Sequence, residues 1–358
     1  MKGGHSKLRV NRVNNGEKSH YGFAFKPENT KTDGILTNLP IKFYLHLRLR
    51  GKTSGQSCWP LGKSQALSPR KTIICLYNGG LDFRNERVMY KYEGLLVYES
   101  HDDDGILEVV ELDGVRSLHF GSHPRQSSML LKAPERLALE YVRAMTSWLL
   151  FKETLAEDGL IIGLGGGSIT KHLLQHFPDC RLTVVESRKG VVKIARSHFG
   201  LPLDPRLKII VDDGGHYVRN RAETHRERYG LMVVDAFDHE GMAASISNQA
   251  FFDACQAMLK DDGILVINLW GGTSNPAFQS AALWLGRAFG WKLLFLPVTG
   301  RGNIIGLAFN SSLPAVTTTK NLRARAAALE QQFDIDFPAF LRDLKKHNAS
   351  TLKQVIKT

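Results

Sequence analysis

An apolar run, Leu160-Ile161-Ile162, passes directly into Gly163-Leu164-Gly165-Gly166-Gly167-Ser168, and this junction limits the folds open to the chain. A strand that ends in clustered glycines and then starts a helix is half of a β-α unit whose backbone must closely approach a ligand. A second apolar run, Val233-Val234, ends in Asp235-Ala236-Phe237-Asp238, so two carboxylates follow a later strand. In an open α/β sheet the carboxyl ends of the strands face the ligand crevice. Both segments therefore deliver their special residues to one rim. A nucleoside on the glycine turn with acids beside it outlines a group-transfer site.

The surrounding pattern agrees. Strand-like runs recur at 160–164, 182–185, 207–211, 231–234, 264–269, 293–297 and 304–309, with helices expected to start near Ser168, Lys189, Gly215, Ser247 and Pro276. The early runs are almost wholly apolar, as parallel strands covered on both faces are. Alternating β-α units closed by a pair of strands around Thr299-Gly300-Arg301-Gly302 give the order of a class I methyltransferase-like Rossmann sheet. Ahead of it, runs at 94–98, 106–112 and 115–120 are separated by Asp102-Asp103-Asp104-Gly105 and Asp113-Gly114, which read as hairpin turns of a small antiparallel β-domain. Gln126 is placed in the loop that leaves this sheet. Pro134 is read as opening a long helix on which Leu137, Tyr141, Met145 and Leu149 recur. The expected organisation is thus a leading segment 1–88, a small β-domain 89–132, a Rossmann-like catalytic domain 133–312 and a helical tail 313–358.

The net charge of +12 suggests a nucleic-acid partner until it is located. Sixteen Lys/Arg and 5 Asp/Glu lie before residue 89, leaving 31 against 30 beyond it. The basic signal belongs to the leading segment, rich in Asn, Gly, Ser and Lys, and is read as a poorly ordered extension. No run approaches the ~20 apolar residues needed to span a bilayer. Cys58, Cys75, Cys180 and Cys255 are scattered without a Cys-x-x-Cys, so neither a zinc site nor a disulfide framework is indicated. A cytoplasmic protein with small-molecule partners is expected, a homodimer being the candidate assembly and no nucleic acid or membrane being required.

Glu186 closes the second strand about twenty residues past the glycines, where an acid can accept both hydroxyls of a ribose. Asp213-Gly214 follow the third strand, where a carboxylate can accept from the exocyclic amine of adenine and a glycine leaves room for its ring. Gly163, Gly165, Gly166, Gly167, Ser168, Glu186, Asp213 and Gly214 are therefore the candidate nucleoside-binding set. Asp235 and Asp238 suit an amine acceptor: one carboxylate can take its proton and the other can hold the cation. His172 and His176 are four apart on the first helix, with no third ligand apparent, and are read as a solvated face rather than a metal site. Trp270, Trp284 and Trp291 are read as core or pocket wall, with Trp270 near the crevice.

Over roughly 92–309 these motifs resemble the spermidine synthase family, the polyamine aminopropyltransferases. The resemblance implies decarboxylated S-adenosylmethionine as a co-substrate rather than a resident cofactor, and transfer of its aminopropyl group to a diamine such as putrescine. It further implies Asp235 as the base, with Asp238, Gln126 and Tyr141 binding substrate. Departures are visible: Ser168 stands where the family motif carries an aspartate for the donor's amine, Ile169 replaces a glycine, and His239 replaces a proline. They keep open two alternatives, an S-adenosylmethionine-dependent methyltransferase and a catalytically weak nucleoside-binding protein of the same shape.

Overall fold

The computed structural model describes residues 89–236, 242–271, 275–310 and 318–356. The chain divides between Met89 and Tyr90 into two compact units. The expectation for residues 1–88 lies outside the described residues, apart from strand backbones such as Arg9–Asn15 and Arg70–Tyr77.

From Tyr90 the chain forms β1 (Tyr90–Lys91), β2 (Gly94–Asp102), β3 (Gly105–Leu112), β4 (Val115–His119), β5 (Ser127–Leu130) and β6 (Ala133–Leu137). They make one six-stranded sheet in the order β6-β5-β4-β3-β2-β1, with every assigned pair antiparallel. The two expected hairpins are present, and Asp113 and Gly114 both take positive φ at the β3–β4 turn. That is the backbone a two-residue turn needs to match strand twist.

The expected long helix from Pro134 is not found. Residues Ala133–Leu137 instead pair with β5, Leu130 opposite Ala133 and Met129 opposite Leu137. Helix α1 is confined to Glu140–Met145 and runs on as a 3-10 turn, Thr146–Leu150. A free edge on β5 offers hydrogen bonds to the backbone that a four-residue apolar repeat does not reveal, and the tertiary pairing prevails over the periodicity.

The larger sheet contains β7 (Asp158–Ile162), β8 (Leu182–Glu186), β9 (Leu207–Val211), β10 (Tyr229–Val234), β11 (Leu259–Trp270), β12 (Leu293–Pro297) and β13 (Asn303–Phe309). Its order is β9-β8-β7-β10-β11-β13-β12. The first five strands are parallel and β13 runs antiparallel between β11 and β12. The strand order reverses between β8 and β10, on the two sides of β7, which makes the carboxyl end of β7 the switch point where ligands bind. Helices α2 (Ser168–His176), α3 (Lys189–His198), α4 (Gly214–Arg221), α5 (Gln249–Met258) and α6 (Pro276–Ala288) connect the strands. Side chains of Asp213, Asn248 and Asn275 accept backbone N–H bonds at the starts of α4, α5 and α6.

The sheet has a core on each face. One buries Leu160, Met232 and Ile267 with Val218, Phe251 and Leu285 of α4, α5 and α6. The other buries Ile161, Val233 and Val266 with Leu173 and Ile194 of α2 and α3, and with Leu107 and Leu118 of the small sheet. This second core also takes in α7 (Thr319–Phe333), α8 (Phe337–His347) and α9 (Leu352–Val355) of the tail. No helix among the described residues is long and apolar enough to cross a membrane.

His172 departs from its expected solvated face. It is 5% exposed, its ring lies 4.6 Å from that of His176 and 5.4 Å from that of Phe333, and α7 accounts for its cover. Burial first, and the neighbouring His176 second, lower its pKa to about 3. An ordinary histidine titrates near 6.5, so between about pH 3 and 6.5 the unfolded chain binds more protons and stability falls as pH falls. On acidification from pH 7 to 5, His172→Phe is expected to lose about 2 kcal/mol less stability than the unchanged protein. Denaturant titrations at the two pH values check this, and parallel losses would contradict it.

Candidate active site

The site is built at the carboxyl ends of β7, β8, β10 and β11. Gly163 leaves β7 with φ +93°, and a Cβ there would stand 2.1 Å from the carbonyl oxygen of Asp235. The N–H of Asp235 in turn donates to the carbonyl of Ile162 at 2.9 Å. Only a residue without a side chain fits this approach, which seats the start of the glycine turn against the first acid of the Asp-x-x-Asp segment. Gly165 and Gly166 carry the turn past Gln126 and Ser127 of the small sheet, and Gly167 precedes Ser168, the first residue of α2.

Gln126 sits in the connection between β4 and β5 rather than beyond the sheet, its N–H donating to Leu118 at 2.9 Å. Its carbonyl lies beside Gly165.

Glu186, at the end of β8, is 7% exposed. One carboxylate oxygen accepts the N–H of Leu164 from the glycine turn, and the other accepts that of Arg188, each at 2.9 Å. Burial raises its pKa, and the backbone N–H groups of Arg188, Leu164 and Gly165 act against that rise. The acid thus shapes the turn as well as facing it. Arg188 continues the link outward. Its guanidinium binds both carboxylate oxygens of Asp102, at 2.5 and 3.1 Å, and stacks 4.6 Å from the Phe120 ring. Through one residue the small sheet is fastened beside the end of β8 and the glycine turn.

Asp213 is engaged as the cap of α4. Its carboxylate accepts the N–H of His216 and the hydroxyl of Ser245, each at 2.7 Å. Gly214 begins α4 directly against Ile162 of β7.

Asp235 lies half-buried at the end of β10. One oxygen, Oδ1, accepts from Nδ2 of Asn268 on β11 at 2.9 Å, and Oδ2 accepts from the Tyr141 hydroxyl of α1 at 3.3 Å. Burial raises its pKa above the usual carboxylate value, with the bonds from Asn268 and Tyr141 opposing. The phenol of Tyr141 is pushed well above its ordinary value by burial and by Asp235, so it stays a donor. Tyr141 and Asp235, expected separately as a substrate-binding residue and the base, are thus brought into contact, whereas Asp238 lies outside the described residues. Asn268 was not singled out in the sequence. Its signal is an amide inside the otherwise apolar, buried run 264–269 of β11, where a polar side chain must find a partner. Trp270 is half-exposed two residues further along β11, on the face that Asn268 occupies.

A groove of about 640 Å³ lies away from this rim, between α7 and the segment entering β7, with Leu155, Phe177, Arg325 and Phe333 in its walls. Among the described residues no group of three His, Cys, Asp or Glu side chains is placed to hold a metal ion.

A family model for the spermine/spermidine synthase domain matches residues 139–270. A polyamine aminopropyltransferase of Neisseria meningitidis serogroup A is 36% identical over 246 residues, which span 68% of this chain and 91% of the relative. A spermidine synthase solved with the transition-state analogue AdoDATO shares the fold at a TM-score of 0.54 and 17% identity, covering 76% of this chain and 92% of that one. Human methyltransferase-like protein 13, solved with SAH, aligns at a TM-score of 0.50 and 25% identity over 55% of this chain and 93% of its own.

The position of Glu186 makes one substitution informative. Glu186→Gln keeps the size, but removes the charge and turns an amide toward backbone donors. With methylthioadenosine, the nucleoside an aminopropyl donor of the resembled family leaves behind, as the probe, calorimetry should find binding weakened by about 1–3 kcal/mol, the range for charge-assisted hydrogen bonds, in a protein that remains folded. Unchanged affinity would remove Glu186 from the nucleoside site.

Proposed function

This chain belongs to the spermine/spermidine synthase family, and on that premise we propose that it is a polyamine aminopropyltransferase with Asp235 as its base. The donor is decarboxylated S-adenosylmethionine and the acceptor a diamine such as putrescine. The acceptor reaches the site as an ammonium ion and has no lone pair to attack with. Asp235 takes one of its protons, and the freed nitrogen attacks the aminopropyl carbon next to the sulfonium. As the N–C bond forms the C–S bond breaks, its electron pair returns to sulfur, and neutral methylthioadenosine leaves. The observation that carries this reading is the pair of bonds on Asp235. Two neutral donors hold a carboxylate whose pKa burial has raised, which makes it a stronger base than an exposed aspartate.

In the same reading Gly163, Gly165, Gly166, Gly167 and Ser168 receive the nucleoside and Glu186 its ribose, with Asp213 and Gly214 at the adenine. Gln126, Tyr141 and Asp238 hold the substrate, Asp238 by attraction to the amine cation. The protein works in the cytoplasm on small molecules, as a homodimer, and the basic segment 1–88 is an extension apart from this chemistry. A second reading, methyl transfer from intact S-adenosylmethionine, draws on Ser168, which offers the donor's amine no charge where an aspartate is expected.

Asp235→Asn separates these roles. The asparagine can accept from Asn268 through its oxygen and donate to the Tyr141 hydroxyl, so the shape is kept and only the proton acceptor is lost. Aminopropyl turnover is expected to fall by roughly 10²–10⁴, with methylthioadenosine binding nearly unchanged. Asp238→Asn is expected chiefly to raise the KM of the amine, because it removes binding to the cation rather than the proton-transfer step. Equal, small effects of the two substitutions on steady-state kinetics would overturn the assignment.

A further inference from the structure

Behind Asp235 the hydrogen bonding continues inward. Asn268 is 5% exposed and Asn303, the first residue of β13, is 8% exposed. Nδ2 of Asn303 donates to Oδ1 of Asn268 at 3.0 Å, and Nδ2 of Asn268 donates to Oδ1 of Asp235 at 2.9 Å. The direction of this chain is fixed from its outer end. An ionised carboxylate only accepts, so the amide nitrogen of Asn268 must face it. The carbonyl of Asn268 then faces Asn303, and only a donor there can satisfy it. The antiparallel pairing of β11 with β13, Trp270 opposite Asn303, keeps the two amides within reach.

The geometry points to Asn268 and Asn303 as positioning residues: Asn303 locks the amide of Asn268 so that it holds Oδ1 of Asp235, leaving Oδ2 to receive the acceptor's proton. The inference rests on the reading of Asp235 as the base. The two oxygens are held unequally, Oδ1 at 2.9 Å and Oδ2 by the longer 3.3 Å bond from Tyr141. Bonds weaken as they lengthen, so Oδ2 keeps the more available lone pairs. Without the bond from Asn303, the Asn268 amide is free to turn over. Its carbonyl would then oppose the carboxylate and favour the protonated form, which cannot act as a base. Tyr141 of α1 is the titratable group facing Asp235 among the described residues, while Asn268 of β11 and the Gly163 backbone at the end of β7 are uncharged.

The test uses the full chain labelled with ¹³C at aspartate carboxyls, the Asp235 signal being assigned by its loss in Asp235→Asn. Asn303→Leu keeps the approximate size of the side chain but cannot donate, and Asn268→Leu removes the amide that touches Asp235. Each is expected to raise the proton affinity of Asp235 about tenfold, the scale of one hydrogen bond to a charged group. The acid limb of kcat/KM for aminopropyl transfer should move to higher pH by the same factor. In the double variant the shift should be no larger than in Asn268→Leu alone, because Asn303 acts only through Asn268. Asn303→Ala provides the same loss of a donor should the leucine not fit. An unmoved Asp235 titration in the Asn303 variants, or shifts that add in the double variant, would overturn the inference. Shifts of the expected kind in a protein that transfers no aminopropyl group would leave the positioning intact and refute the proposed reaction instead.

Discussion

The approach of Gly163 to the carbonyl of Asp235 is the contact on which the rest of the site depends. It occurs because β7 and β10 are parallel neighbours on the side of β7 where the strand order reverses. At that point the glycine turn, which can receive a nucleoside, and the acid, which can receive a proton, are joined with no side chain between them. Everything else builds outward. Glu186 holds the far side of the turn, Arg188 ties that strand end to the small sheet, and Tyr141 and Asn268 hold the acid. A bound donor and a bound amine would thereby meet along one strand boundary.

In the proposed reading, several of the polar side chains serve the fold and the ligand at once. The carboxylate of Glu186 accepts the N–H of Leu164 from the turn and that of Arg188, and retains lone pairs that a ribose could use. Asp213 caps α4 and accepts from Ser245, so any bond to an adenine amine adds to a structural role rather than replacing it. Such groups are ordered by the fold before a ligand arrives, and little entropy is then spent in binding. Ser168 is the contrasting case. It begins α2 beside this ordered set and brings a hydroxyl where the resemblance expects a charge, so in the proposed reading the donor's amine meets an altered binding point.

Much of this was readable along the chain because strand ends and glycine turns are local features. The runs at 207–211 and 293–297 coincide with β9 and β12, and Ser168, Lys189 and Pro276 begin their helices. The chain also belongs to the family its motifs resemble. What escaped depends on partners distant in sequence. The four-residue spacing through Leu137 and Tyr141 gave no hint that β5 would claim 133–137 as a strand. The histidines of α2 looked solvated because nothing local shows that Phe333 will cover them. Asn268 and Asn303 left a fainter mark, two amides within or beside the apolar runs 264–269 and 304–309, and only the register of β11 with β13 joins them.

The central claim is that this rim transfers an aminopropyl group to an amine. Incubating the full chain with decarboxylated or intact S-adenosylmethionine and a panel of diamines, with product masses read by mass spectrometry, tests it most directly. The account predicts a diamine enlarged by one aminopropyl unit, with methylthioadenosine released in equal amount and only from the decarboxylated donor. A methylated product formed from the intact donor, with no aminopropyl transfer, would contradict it.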